Sequence, residues 1–208
     1  MIEIIDSKFV TSAPNIKLSP PNDERNEVAF MARSNTGKSS ILNTLTNRKS
    51  LAKVSATPGK TRLINYFDVV FMDRETNERL GAKFVDLPGF GYAKVAKSLK
   101  TDWESNLTTY ITERVQIRVF VHLIDCRHPD LEIDASVREY LEQICAPGQT
   151  ILTVFTKIDK LNQKELSELK KRFPGALMVS NTKRRGVETV VETLYRLLKE
   201  GEDEHDNV

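Results

Sequence analysis

Apolar residues in this chain fall into short continuous runs separated by amphipathic stretches. "EVAFMA", "IRVFVHLID", "TILTVFTKID" and "GALMVSN" read as strands covered on both faces, because they lack a polar alternate position. "DASVREYLEQIC", "QKELSELKKRF" and "GVETVVETLYRLLKE" repeat apolar residues at helical spacing. Two further runs, "RLINYFDVVFM" and "AKFVDLPG", are separated only by the polar turn "DRETNERLG" and predict an antiparallel hairpin. Helices are also predicted from about Ser39 to Thr46 and from about Leu99 to Arg114. "NRKSLAKVSATPGKT" has little periodicity and contains Pro58–Gly59, so it reads as a loop. Strands alternating with helices of this length predict one α/β domain with right-handed crossovers, mostly parallel, with one antiparallel hairpin strand. Residues 1–27 read as an extended segment ending in the turn-rich "SPPNDERN". The expected organisation is therefore 1–27 packing on a domain of 28–199, followed by an acidic tail over 200–208.

Composition narrows the class. The 208 residues are 39% hydrophobic and 29% charged, which fits one globular domain with a real core. No apolar run approaches the ~18 residues of a membrane span, and "MIEIIDSKFV" lacks a signal peptide's basic start. A cytoplasmic protein is expected. Cys126 and Cys145 have no metal-ligand spacing, and His122, His128 and His205 form no pattern with them. Net charge is only +2, yet the last nine residues hold five of the 29 acids, leaving residues 1–199 with 31 basic against 24 acidic. That excess is compatible with an RNA partner without demanding one.

The chemistry concentrates where strands end. Ala32-Arg33-Ser34-Asn35-Thr36-Gly37-Lys38-Ser39, followed by Ser40, has the spacing of a phosphate-cradling loop between a strand and a helix, with Ala32 in the first glycine's place. Such a loop aims backbone N–H groups and the positive end of a helix at one anion. Lys38 supplies a cation for the terminal phosphates, and the Ser39 hydroxyl can ligate Mg²⁺. Base choice falls to "FTKID". The Asp159 carboxylate can accept hydrogen bonds from guanine N1–H and the 2-amino group, and adenine would leave it unpaired. Lys157 can lay its stem along the base, Thr156 can tie this loop to the phosphate loop, and Ile158 lies between them. Val179, Ser180 and Asn181 end the next strand, where guanine O6 could meet a hydroxyl or backbone N–H.

Asp86-Leu87-Pro88-Gly89 and the loop carrying Gly59, Lys60, Thr61, Arg62 and Leu63 would sense the third phosphate. Asp86 can bind the Mg²⁺ water shell, Gly89 N–H the γ-phosphate, and Thr61 the metal when its loop closes; Thr57 competes for that role. Many small GTPases place a water-orienting glutamine after this D-x-x-G. Phe90 stands there, so slow intrinsic hydrolysis is expected. Lys38, Asn35, Thr61 and Gly89 are the residues expected to assist the reaction. Asn35 could hold K⁺ beside the phosphates, or be a plain turn residue.

"RSNTGKSS", "TPGKTRLINYF", "VDLPGFGYAKV" with Trp103 a few residues on, "LIDCRHPD" and "FTKIDKL" together resemble the EngB (YihA/YsxC) family of bacterial GTPases, from about Phe9 to the final helix. The resemblance implies a three-layer P-loop NTPase fold of the Ras-like G-domain type, with a mostly parallel six-stranded sheet. It also implies GTP/GDP with Mg²⁺, and a role in assembling the large ribosomal subunit that is linked to cell division and septation. The partner would be a precursor of that subunit, its rRNA and proteins; neither DNA nor a membrane is expected, and the protein would be a monomer. "KKRF" and "TKRRG" are compatible with rRNA contact or with ordinary solvated surface. Ala32 and Arg62 depart from the family pattern. Two readings stay open: a switch that hydrolyses GTP, or a GTP-dependent binding module with little turnover.

Overall fold

The computed structural model describes residues 1–52, 63–90 and 107–205. Thr57, Gly59, Lys60, Thr61 and Arg62 lie outside the described residues. So do 91–106, with Trp103 and the first part of the helix expected from Leu99, and 206–208.

Seven strands form one sheet: β1 (Ile2–Ala13), β2 (Glu27–Ala32), β3 (Ile64–Asp73), β4 (Arg79–Asp86), β5 (Ile117–Asp125), β6 (Thr150–Thr156) and β7 (Leu177–Met178). Their order is β1-β3-β4-β2-β5-β6-β7. Only β3 runs against the others, pairing antiparallel with both β1 and β4, while the remaining neighbours are parallel. The helices are α1 (Lys38–Leu45), the described turns of α2 (107–113), α3 (Glu132–Ile144), α4 (Gln163–Arg172) and α5 (Val187–His205).

Burial on both faces of β2 explains its unbroken apolar run. Val28, Phe30 and Ala32 join Ile41 and Leu42 of α1 and Val190, Val191 and Leu194 of α5 in one layer of core. Ala29 and Met31 point the other way, into a layer with Tyr66, Tyr110 and Leu141. A smaller cluster under α4 joins Phe155, Ile158, Leu166 and Leu169. This is the expected three-layer α/β arrangement.

Two expectations need correction. The sheet has seven strands, not six, because much of the segment over 1–27 is itself a strand. β1 pairs with β3 from Ile2↔Asp73 to Ala13↔Ile64, with register shifts between Ile4 and Asp6 and between Phe9 and Thr11. Those irregularities break the period-two pattern, so "IEIIDSKFVTSA" shows no single strand rhythm. The acidic tail is not disordered from residue 200, since α5 continues to His205. Once a helix is nucleated, each added residue gains a hydrogen bond, and glutamates are good helix formers. Among the described residues, no helix is long and apolar enough to cross a membrane.

Candidate functional site

Parallel strands end together, so the segments after β2, β4, β5, β6 and β7 converge on one edge of the sheet, the usual place for a ligand in an open α/β fold. The phosphate-loop sequence leaves β2 there and enters α1. Ala32 is fully buried, is the last residue of β2 and is paired with Leu123. Its φ is not positive, so alanine in the glycine position costs nothing in backbone strain. Asn35 has φ 64°, a left-handed conformation that asparagine tolerates better than most residues; this accounts for an amide at that turn. Gly37, with φ 100°, immediately precedes α1 and needs glycine's freedom. The first-turn N–H groups of α1, from Lys38, Ser39 and Ser40, open toward the loop because no earlier helical carbonyl can accept them.

The segment after β4 closes on this loop. Leu87 N–H donates to Phe30 O at 3.2 Å and Phe90 N–H to Ala32 O at 3.1 Å. Gly89 accordingly sits against the Ala32 carbonyl and Ser34, and Pro88 lies between these anchors. Asp86 is buried. Lys38 Nζ ion-pairs with its Oδ1, and Asn65 Nδ2 donates to its Oδ2 at 3.3 Å. Leu63, the one described residue of the preceding loop's expected set, is exposed. Phe90 is buried, with its ring centroid 6.0 Å from that of His122.

The "FTKID" segment is tied to the phosphate loop as expected, through the buried Thr156 Oγ1, which donates to Thr36 O at 2.7 Å. Lys157, held at φ 60°, reaches back across Gly37. Its Nζ donates to Asn35 O at 2.6 Å and pairs with Asp125 Oδ2 at 2.9 Å. Ile158 is buried, and its N–H donates to Val179 O at 3.3 Å. Val179 and Ser180 are fully buried.

The structure assigns the Ser180 hydroxyl differently from the sequence reading. It donates to Asp159 Oδ1 at 2.6 Å and accepts from Lys183 N–H at 3.1 Å. A hydroxyl so engaged braces the carboxylate rather than facing a base oxygen. Its hydrogen bond is the first cause holding the Asp159 carboxyl below the usual aspartate range. The Asn181 amide comes within reach of Gly37, on the other side of the pocket edge.

Several residues of this region carried no role in the sequence reading. Burial opposes ionisation of Asp125, but hydrogen bonds from Arg127 and Lys157 outweigh it and hold the carboxyl well below the usual range. Arg33 Nε donates at 2.9 Å to Asp134 Oδ2 on α3, fixing the phosphate loop to a helix far along the chain. The fully buried His122 lies 3.6 Å from Asp134 Oδ1, and neither ring nitrogen has a hydrogen-bond partner among the described residues. "LIDCRHPD" hinted at Asp125 and Arg127, but nothing local marks Asp134. Beside Asp125, burial pushes the Cys126 thiol up to about 11, which leaves it a protonated, inert group at neutral pH.

Residues 27–157 match the family model described as 50S ribosome-binding GTPase. A GTP-binding protein EngB of Aliarcobacter butzleri is 57% identical over 186 residues, 88% of this chain and 92% of the relative. One of Campylobacter jejuni is 47% identical over 191 residues, 92% of this chain and 95% of the relative. A crystal structure of a GTP-binding protein engB superposes with TM-score 0.62 at 19% identity, covering 84% of this chain and 99% of that one. A crystal structure of a single-residue variant of Aquifex aeolicus Era bound to GDP·AlF4⁻ gives 0.63 at 22%, covering 85% and 57%. At these identities the two structures speak for the fold alone.

Proposed function

This chain belongs to the 50S ribosome-binding GTPase family, among the GTP-binding proteins called EngB, and from that premise we propose a Mg²⁺-dependent, slowly hydrolysing switch. It acts in the cytoplasm on precursors of the large ribosomal subunit, and normal division and septation depend on that step. One observation carries the nucleotide part of the reading: the base-reading segment and the phosphate loop are one bonded unit, joined through Thr156 and Thr36.

In this reading the N–H groups of 33–40 and the Lys38 ammonium hold the β- and γ-phosphates. Asp159, braced by Ser180, reads guanine N1–H and the 2-amino group. Ser39, Thr61 and the water shell of Asp86 would hold the metal. The buried Asp86 carboxylate is paired with the Lys38 ammonium through Oδ1; accepting from the metal's water shell would use the lone pairs that this contact and the Asn65 amide leave open. When bound, Mg²⁺ neutralises charge on the phosphate oxygens. Gly89 N–H and Thr61 report the γ-phosphate. Phe90, buried against His122, offers no group to orient water, which is the ground for slow turnover. In this reading Asn35 adds K⁺ to that stabilisation; equal turnover in K⁺ and Na⁺ at matched ionic strength would remove this part.

Calorimetry tests base choice. Wild-type protein should bind GTP and GDP at least about 10³-fold more tightly than ATP, and Asp159→Asn should move the preference toward xanthosine nucleotides. Unchanged GTP affinity in that variant refutes the assignment. Co-sedimentation with large-subunit particles, using GTP analogue against GDP, tests the partner. Particle-stimulated turnover supports the switch, whereas nucleotide-dependent association without turnover supports a binding module.

A further inference from the structure

Beyond the nucleotide pocket, two loops come together outside the Asp159 side of the site. Asn47 ends α1 at φ 52°, and Arg184 lies in the β7–α5 turn at φ 51°. An Arg184 guanidinium nitrogen donates to Asn47 Oδ1 at 3.4 Å, bridging 137 positions of sequence. The bridge sets Arg48 and Lys49 beside Lys183, Arg184 and Arg185, all five exposed.

Among the described residues, four of these five cations pair with no acid, as do the exposed Lys17, Arg79, Lys164, Lys170 and Lys171; the four differ in lying together across the Asn47–Arg184 bond. Arg25, Arg48, Arg74, Arg127, Arg138 and Arg172 each pair with a carboxylate, Arg48 with Asp6. Among the described residues, Lys49, Lys183, Arg184 and Arg185 make no ion pair with any acid.

The turn that presents them is rigid. Ser180 N–H donates to Arg185 O at 2.9 Å, and Lys183 N–H donates to Ser180 Oγ at 3.1 Å, closing the turn at both ends. Gly186 follows at φ 76°, where any Cβ would collide with Met178 O, so the chain is pressed flat against β7. The fixed backbone keeps the three cations of 183–185 side by side, and two guanidinium forks suit phosphate oxygens.

We infer that Lys49, Lys183, Arg184 and Arg185 form a constitutive anchor for the phosphate backbone of RNA, equally engaged in the GDP and GTP states. The choice of RNA as occupant rests on the ribosomal reading above. Nucleotide independence rests on where the turn is tied: its backbone is bonded to Ser180, which braces Asp159, the residue proposed to read the guanine common to both nucleotides. The end of β4, from which the proposed γ-phosphate-sensing segment leaves, lies on the opposite side of β2 from β7.

The test is a KCl titration of full-length protein on purified large-subunit ribosomal RNA, run with GDP and with a non-hydrolysable GTP analogue. The comparison is with the variant Lys49→Gln/Lys183→Gln/Arg184→Asn/Arg185→Gln. Removing four phosphate contacts should make the slope of log K against log[salt] shallower by about 3, and by the same amount in both nucleotide states. Guanine nucleotide affinity and the circular dichroism spectrum should be unchanged. The variant Arg184→Lys/Arg185→Lys should keep the wild-type slope. An unchanged slope in the neutralised protein overturns the inference, as does a change confined to one nucleotide. So does binding of anionic vesicles or heparin in preference to RNA. Failure of wild-type protein to sediment with subunit particles would instead remove the ribosomal reading, while the slope on free RNA still judges the surface.

Discussion

At the residue scale, the carboxylate proposed to read the base is prepared by a neighbour rather than by its own position. Ser180 is fully buried and spends its hydroxyl on Asp159. Removing that hydroxyl takes away the first cause of the depressed Asp159 pKa. In the proposed role the ionised form accepts from guanine, so a lowered pKa would keep binding intact as pH falls. In Ser180→Ala the pKa rises toward the ordinary aspartate value. Guanine binding should then be weaker by about tenfold at pH 7, through the lost bracing bond. It should also begin to fail at a higher pH than in wild type as acid is added. Nucleotide affinity measured from pH 7 down to pH 4 checks both parts, and superimposable profiles would show that Ser180 does not set the carboxylate. "MVSN" suggested a contact to the base. The actual partner, 21 positions earlier, is visible only once β6 and β7 lie side by side.

At the element scale, one buried ion pair joins the start of β2 to the end of α2. Glu27 and Arg114 are 1% and 3% exposed and are bonded at 2.6 and 3.0 Å. Arg114 also donates to Pro20 O at 2.8 Å and to Asn22 Oδ1 at 2.7 Å. The turn-rich "SPPNDERN" is thereby stitched onto the domain by a residue far along the chain. Glu27→Ala leaves the guanidinium buried without its counter-charge and should cost about 3–5 kcal/mol of stability. Urea denaturation measures this; a loss under about 1 kcal/mol would mean that Pro20 and Asn22 suffice for Arg114. Neither residue drew notice in the sequence, because an acid at the start of a strand and an arginine at the end of a helix are ordinary surface features until the fold encloses them.

For the whole molecule, β1 decides where the domain begins. It is an edge strand that covers the β3 edge along its length and contributes Ile4 and Ala13 to the two faces of the core. A chain starting at residue 14 would leave β3 with an open row of N–H and C=O groups beside uncovered apolar side chains, the setting for edge-to-edge association. Such a truncation should lower the melting temperature by at least about 5 °C and increase aggregation in light scattering. An unaltered, monomeric truncated protein would return residues 1–13 to the status of an appended segment. The same scale holds the link between pocket and sheet: Arg33 on Asp134 and Lys157 on Asp125 join loops following β2 and β6 to α3 and β5.

The sequence by itself determined the elements whose cause is local. Apolar runs covered on both faces declared β2, β5 and β6, and helical spacing declared α3, α4 and α5. The strand–loop–helix spacing of 32–39 and the "FTKID" segment announced a phosphate and a guanine contact, because those chemistries need residues adjacent in the chain. Only the tertiary structure decided what depends on distant partners: β1 as the seventh strand, Ser180 as the brace of Asp159, Asp134 under the phosphate loop, and the meeting of Asn47 with Arg184. The physical reason is the same in each case. Periodicity and short motifs record what a residue does with its neighbours in sequence. A charge or hydroxyl shows its role only when burial removes water as the alternative partner.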